Sequence, residues 1–237
     1  MTALSHKVKF NVEVTIDVIC PWCYIGKRYL EAAINALENE ATFVITWKPF
    51  LIDAQCPSEG IPYNTYLISK FGEKIAKQEM KGQGPLGKAG KSVGIKFDPD
   101  RYVVNSIKSN LLLQFVLEQY GQEKQSKMHE LLCKQYFEES VNLNSDTVLK
   151  QLSEEVGIDS VSAAQYFTSP SNVKRLFNDL KKLKKRGIVG VPYFQFSIDG
   201  ATDIQPVGFS GAQSKAGFID TITKLLKEYQ KGTKPKQ

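Results

Sequence analysis

Four residues near the start of the chain, Cys20-Pro21-Trp22-Cys23, have the types and spacing of a dithiol redox pair. Disulfide exchange needs a thiolate, and a free thiol titrating near about 8.5 is little ionised at neutral pH. A helix N-terminus presents unpaired N–H groups and a partial positive charge, and both stabilise an anionic sulfur. Thiols in CxxC motifs can fall to roughly 3.5–7.5 in this way. Cys20 is therefore assigned as the nucleophile. Cys23, three residues on, lies on the same side of the first helical turn, where it can attack a mixed disulfide at Cys20 and release the partner. Pro21 fixes the turn. Trp22 offers apolar surface to border a substrate, and the two intervening residues tune the potential.

This chemistry requires a strand to end and a helix to begin at Cys20. Val8, Phe10, Val12, Val14, Ile16 and Val18 share one parity, the period of a strand over 8–19. Pro21 suits a first helical turn, and Ile25, Tyr29, Ala32, Ala33, Ala36 and Leu37 then recur at helical spacing. A second strand follows at 42–52. A helix is expected at 63–80, a glycine-rich loop through GQGPLGKAGKSVG, and helices at 102–120, 123–138, 145–156, 160–168 and 171–186. The pattern then returns to a strand at 191–198, a turn at Asp199-Gly200, a short strand at 203–209 and a last helix from Gly211 to about Tyr229. The order β–α–β, helical block, β–β–α outlines a thioredoxin-like α/β fold with a large inserted α-helical domain. The expected boundaries are 8–56 and 187–230 for the thioredoxin-like domain, 57–186 for the insertion and 231–237 for a disordered basic tail.

A second motif lies in GIVGVPYFQF, where Pro192 opens a strand. Proline is poor inside a sheet, and a cis bond at such a place is uncommon and purposeful. A cis Val191–Pro192 bond would leave the backbone groups of Val191 free to pair with an extended substrate and hold it against Cys20.

Together, TIDVICPWCYIGKRYLEAAI, GIVGVPYFQF and the later FSGAQ resemble the DsbA-like family often called FrnE-type oxidoreductases. That family adjoins kappa-class glutathione transferases and 2-hydroxychromene-2-carboxylate isomerases. The match is close over 10–53 and 186–217 and looser between. In register, Cys20 and Cys23 take the redox-pair positions and Val191-Pro192 the cis-proline position. The resemblance implies a thioredoxin fold with an inserted helical domain, and reduction, oxidation or isomerisation of disulfides. One stretch departs from the pattern. Family members often carry Asn-Thr…Ala-His early in the insertion, whereas this chain has Asn105-Ser106-Ile107-Lys108-Ser109-Asn110, with Asn110 at the histidine's place.

The remaining composition narrows the alternatives. Of 237 residues, 42% are hydrophobic and 24% charged, enough for a buried core. The net charge of +6 gathers at Lys181, Lys182, Lys184, Lys185 and Arg186 and at Lys227, Lys231, Lys234 and Lys236. Neither run is interleaved with aromatics, so a nucleic-acid partner is not expected. The first twenty residues have no apolar signal core, and no run approaches the roughly 20 apolar residues that span a bilayer. The chain therefore reads as cytoplasmic with no membrane partner, where a close cysteine pair is catalytic or metal-binding and not a staple. Zinc needs four ligands, and Cys56, Cys133, His6 and His129 are scattered. Gly90-Lys91-Ser92 ends like a phosphate loop, but Pro85 stands where its first glycine belongs.

No cofactor is called for, and glutathione or a thioredoxin-type reductant would serve as redox partner to a protein or small-molecule disulfide. The assembly is left as monomer or homodimer. The competing classes are a glutathione-dependent transferase or isomerase on the same fold, whose members typically have serine at the first cysteine, and a chaperone-like or zinc-binding module. His129 is expected to be structural and Cys133 a buried small hydrophobe. Cys56 is expected to be exposed, and Asp17 to be a solvated strand residue.

Overall fold

The computed structural model describes residues 7–57 and 59–232. His6 and residues 233–237 of the expected tail lie outside them. Strand β1 (Val8–Ile16) leads into α1 (Pro21–Ala36) and back into β2 (Ala41–Pro49). The chain then leaves the sheet through β3 (Ile61–Pro62), α2 (Tyr63–Phe71), α3 (Glu73–Met80), α4 (Pro85–Ser92) and β4 (Tyr102–Val103). It continues through α5 (Ile107–Glu138), α6 (Asp146–Glu155), α7 (Ser160–Phe167) and α8 (Pro170–Lys185). It re-enters the sheet as β5 (Tyr193–Ile198) and β6 (Val207–Ser210) and ends on α9 (Lys215–Gly232). The sheet order is β2-β1-β5-β6. β1 runs parallel to β2 and antiparallel to β5, and β6 is antiparallel to β5. β3 and β4 form a separate antiparallel pair.

β1 is central in the sheet and buries Phe10, Val12, Val14 and Ile16 on one face; on the other, Lys9, Asn11 and Glu13 stay exposed or half-buried and only Thr15, near the strand's end, is buried. On one face α1 packs close to β5. A Cβ at Gly26 would stand 2.9 Å from the Phe194 ring, so only glycine lets the helix settle on that ring, which also meets Phe218 of α9 edge-on at 4.8 Å. Trp47 of β2 faces α5, its ring 4.2 Å from that of His129 and its indole N–H bonded to Ser126 Oγ at 3.0 Å. His129 is fully buried, and neither of its ring nitrogens has a hydrogen-bond partner among the described residues. Burial, and then the charges of Lys27 and Arg28, hold its pKa well below the usual value.

β2 is an edge strand, and an open edge invites pairing with other chains. Gln125 of α5 closes it. Its Oε1 accepts from Trp47 N–H at 3.0 Å, and its Nε2 donates to Trp47 C=O at 2.7 Å and Leu113 C=O at 3.2 Å, all in the interior. The side chain thus stands in for the next strand at one residue. Gln125→Ala orphans buried backbone groups and is expected to destabilise the protein by about 2–4 kcal/mol, read as a lowered urea midpoint with unchanged slope.

Several elements differ from the sequence expectation. The glycine-rich run contains α4, because Pro85 opens it at a position needing no N–H and the Glu79 carboxylate caps Leu86 and Gly87 N–H at 3.1 Å each. The 63–80 helix is divided at Gly72. Residues 102 and 103 pair with β3, so the next helix starts only at Ile107. That helix breaks, as expected, at Gly121, whose φ of 81° and ψ of −178° interrupt the ladder. At the C-terminus α9 continues through Lys231 and Gly232, two residues into the segment read as tail.

Among the described residues no helix is long and apolar enough to cross a membrane.

Candidate active site

β1 and α1 deliver Cys20 through a short turn. The Cys20 N–H donates to Asp17 C=O at 2.9 Å, and Cys20 becomes the N-cap of α1 with extended backbone angles and Pro21 at the first helical position. The thiol takes no capping bond from the helix, contrary to the expectation that it would face free N–H groups. Pro21 has no N–H to offer, and the N–H groups of Cys23 and Tyr24 donate to Cys20's own carbonyl at 3.0 and 3.3 Å. What remains for the sulfur is its place at the positive end of α1.

The Cys20 S–H points at the carbonyl of Val191, 3.9 Å away. The Val191–Pro192 bond is cis. Pro192 C=O accepts from Gly211 N–H at 2.8 Å, which ties this turn to the end of β6. The two motifs therefore meet, although 171 positions separate them in the chain.

All four cysteines are free thiols. Cys23 is sealed at 1% exposure, whereas Cys20 keeps 6% and opens into a cavity of about 430 Å³. The Cys23 pKa is raised well above its usual value, first by burial and then by the hydrogen bond and charge of Cys20, against which it lies. One sulfur can thus be reached from the cavity, and the other waits behind it. Trp22, at 39% exposure, borders the opening.

Asp17 overturns the expectation of a solvated position. It is fully buried. Its Oδ2 accepts from Ile52 N–H at 2.8 Å, and its Oδ1 accepts from Asn110 Nδ2 at 2.9 Å and Ile19 N–H at 3.3 Å. One carboxyl thereby joins the turn before Cys20, the exit from β2 and the first turn of α5. Burial raises its pKa, opposed by the bonds from Ile52 and Asn110. Asn110 also donates to Ser106 C=O at 3.0 Å, so the first turn of α5 meets this buried carboxyl through an amide. Sequence reasoning missed the pair because strand parity places Asp17 outward. Asp17 lies one residue past the end of β1, in the turn that leads to Cys20, where strand parity no longer applies.

Cys56 is corrected as well. It is 4% exposed, and its S–H donates to Val103 C=O at 3.3 Å, since the loop after β2 folds under β4. Cys133 is buried as expected. Burial first pushes the Cys133 thiol up, beyond any range where it would ionise.

A partly buried ion cluster fixes α1 to the insertion. Lys27, 3% exposed, bonds Glu130 of α5 at 2.5 Å, Arg28 pairs with the same carboxylate, and Tyr24 O–H donates to Glu138 at 2.9 Å. A slightly larger cavity, about 470 Å³, lies between the sheet and α5 and α8. It has no cysteine in its wall, and of its six charged residues Lys48 and Lys182 pair with Glu13 and Asp179 at 3.6 and 2.7 Å, Glu118 pairs with Arg175 at 3.2 Å, and Arg186 donates to Gln195 at 2.9 Å. Among the described residues, no three His, Cys, Asp or Glu side chains are grouped to hold a metal ion.

A model of the DSBA-like thioredoxin domain matches residues 11–222. The chain belongs to the DSBA-like thioredoxin domain family. No curated protein sequence matches it. Among solved structures, a probable DsbA oxidoreductase from Streptomyces coelicolor superposes with a TM-score of 0.78 at 23% identity, covering 96% of this chain and 93% of the other. The cytosolic disulfide reductase DsbM from Pseudomonas aeruginosa, solved with glutathione, gives 0.59 at 14% identity over 92% and 99%. A 2-hydroxychromene-2-carboxylate isomerase gives 0.65 at 14% over 94% and 100%. At these identities the structures speak for the fold. Thus the thioredoxin-like α/β architecture with a helical insertion holds, as does the resemblance at the level of the DsbA-like family, which is one of thiol–disulfide oxidoreductases.

Proposed function

We propose that this DSBA-like protein is a thiol–disulfide oxidoreductase in which Cys20 attacks, Cys23 resolves and Val191-Pro192 docks the substrate, with Pro21 and Trp22 forming the rim. The reading is carried by one observation: Cys20, at the N-cap of α1, is open to a cavity while Cys23 is sealed behind it. The Cys20 thiolate attacks one sulfur of a substrate disulfide, the S–S bond breaks, and the leaving sulfur departs as thiolate and takes up a proton. Cys23 then loses its proton and attacks Cys20, and the second substrate sulfur is released. The net change is a substrate disulfide reduced to two thiols and the Cys20–Cys23 dithiol oxidised to a disulfide. The reverse sequence forms disulfides in substrates.

Within the family, the FrnE-type branch is the one the motifs resemble. Segments 8–56 and 187–230 act as the thioredoxin-like domain, and 57–186 as the insertion that walls the cavity. A cytoplasmic setting suits the four free thiols, with glutathione or a thioredoxin-type protein returning the pair to the dithiol. The test is stoichiometric. Reduced protein mixed with excess insulin or a small disulfide, without other reductant, should release two substrate thiols per chain and lose two mass units across the peptide carrying Cys20 and Cys23. No release, or release without that loss, would refute the reading.

A further inference from the structure

A further cavity, of about 380 Å³, adjoins the one that holds Cys20, and Tyr63, Glu79, Leu86 and Arg101 form a wall common to both. Its volume lies in the range of small-molecule sites, roughly 300–1,000 Å³. Three lysines surround it. Lys81 caps the C-terminus of α3, Lys91 lies in the last turn of α4, and Lys96 follows in the next loop. Gly94 turns the chain there with a φ of 78°, and Ile95 N–H donates back to Gly90 C=O at 2.9 Å. The turn returns Lys96 to the cavity that Lys91 already borders. All three lysines are exposed, and none forms an ion pair among the described residues.

The other two charges of the lining, Glu79 and Arg101, are engaged within the wall. The Glu79 carboxylate accepts from Leu86 and Gly87 N–H at 3.1 Å each. Arg101 is 2% exposed, donates to Asp98 C=O at 2.6 Å and stacks 3.5 Å over the Tyr63 ring. Three ammonium groups around one cavity repel one another, and a concave surface of one sign concentrates ions of the other. Lysine meets phosphate as a point charge, whereas bidentate recognition of a carboxylate favours the planar fork of arginine. The arginine of this lining is held in the wall, and a single carboxylate would leave two of the three lysine charges unbalanced. A phosphate or pyrophosphate group matches the set better. Because the wall is shared, a ligand seated there can carry a tethered disulfide into the cavity of Cys20.

We propose that Lys81, Lys91 and Lys96 form a phosphate-binding subsite, and that it serves small disulfide substrates carrying a pyrophosphate group on a tether. The proposal rests on the reading of Cys20 as the attacking thiol. Its test uses the reduced full-length chain and three probes: inorganic pyrophosphate, the symmetric disulfide of coenzyme A, and pantethine, which has the same thiol arm without phosphate. Each disulfide is reduced to two thiols as the Cys20–Cys23 dithiol closes, and the second-order rate constant is measured at low salt. The coenzyme A disulfide should react at least about tenfold faster than pantethine. Pyrophosphate should bind in calorimetry and slow the coenzyme A disulfide but not pantethine. Lys81→Gln, Lys91→Gln and Lys96→Gln together should bring the ratio of the two rates to about one and abolish pyrophosphate binding. The same loss of charge on α8, through Lys181→Gln, Lys184→Gln and Lys185→Gln, should leave the ratio in place. Equal wild-type rates, or a ratio that falls equally in both triple variants, would overturn the subsite's role in substrate choice and leave the oxidoreductase reading intact. Pyrophosphate binding with equal rates would mean that the lysines hold a free phosphate compound and not a substrate, and no binding would overturn the subsite itself. Failure of both disulfides to oxidise the dithiol would instead remove the reading of Cys20, and the substrate claim with it.

Discussion

Cys20→Ser abolishes disulfide exchange, with a fall of more than about a thousandfold in turnover, because a serine hydroxyl at the same place neither ionises near neutral pH nor attacks sulfur. Cys23→Ser behaves differently. Cys20 still opens into the cavity and still attacks, but the resolving sulfur behind it is gone, so the variant accumulates a stable mixed disulfide with its substrate. Intact mass after acid quench should show wild type passing to an internal disulfide, Cys23→Ser gaining the mass of one substrate half, and Cys20→Ser unmodified at position 23. The last expectation follows from burial. Cys23 is sealed and its pKa is raised, so without Cys20 it is both out of reach and protonated. Wild-type turnover by either serine variant would contradict the assignment of roles.

Asp17→Ala is expected to cost about 2–4 kcal/mol of stability. The substitution leaves the N–H groups of Ile52 and Ile19 without their acceptor and takes one of two acceptors from the Asn110 amide, and it loosens the turn that presents Cys20. Urea unfolding measures the cost, and a loss below about 0.5 kcal/mol would mean that the network is dispensable.

Asp17 also predicts a pH dependence with a definite sign. Burial raises its folded pKa above the ordinary 3.8, so above that pH the native state holds a proton that the unfolded chain has released. The native protein then binds more protons, and stability falls as pH rises through the native titration, levelling off beyond it. Asp17→Asn keeps the shape without titrating. The stability of wild type relative to Asp17→Asn should therefore be greatest below pH about 3.8 and decline as pH rises. A difference that is flat or increases with pH would show that Asp17 is not held neutral by its surroundings.

The parts of this site that were legible in the sequence are those whose chemistry is written locally. CPWC at a change from alternating to helical periodicity placed Cys20 at a helix start, and the proline opening the 191–198 strand gave the cis turn opposite it. The thioredoxin-like fold class needed only the β–α–β and β–β–α outline. What escaped depended on contacts made across the fold. Asp17 points into a network with Ile52 and Asn110, yet its parity matches a solvent face. Cys56 is covered by β4, a two-residue strand that no periodicity reveals. Helix α4 forms from glycine-rich sequence because Glu79, six positions before its first residue, supplies the cap. The capping arrangement at Cys20 differs for a local reason: proline removes one donor, and the next turns of backbone engage the cysteine's carbonyl and not its sulfur.

The 171-residue span between Cys20 and Val191 has a consequence for biosynthesis. A ribosome adding roughly 5–20 residues per second needs about ten to thirty seconds to supply the second half of the site after the first has emerged. Throughout that interval the nascent chain displays CPWC on a sheet that lacks β5, with neither the docking turn nor the closing strands in place. The contact between Cys20 and Val191 can therefore form only after the segment leading into the last hairpin has been made.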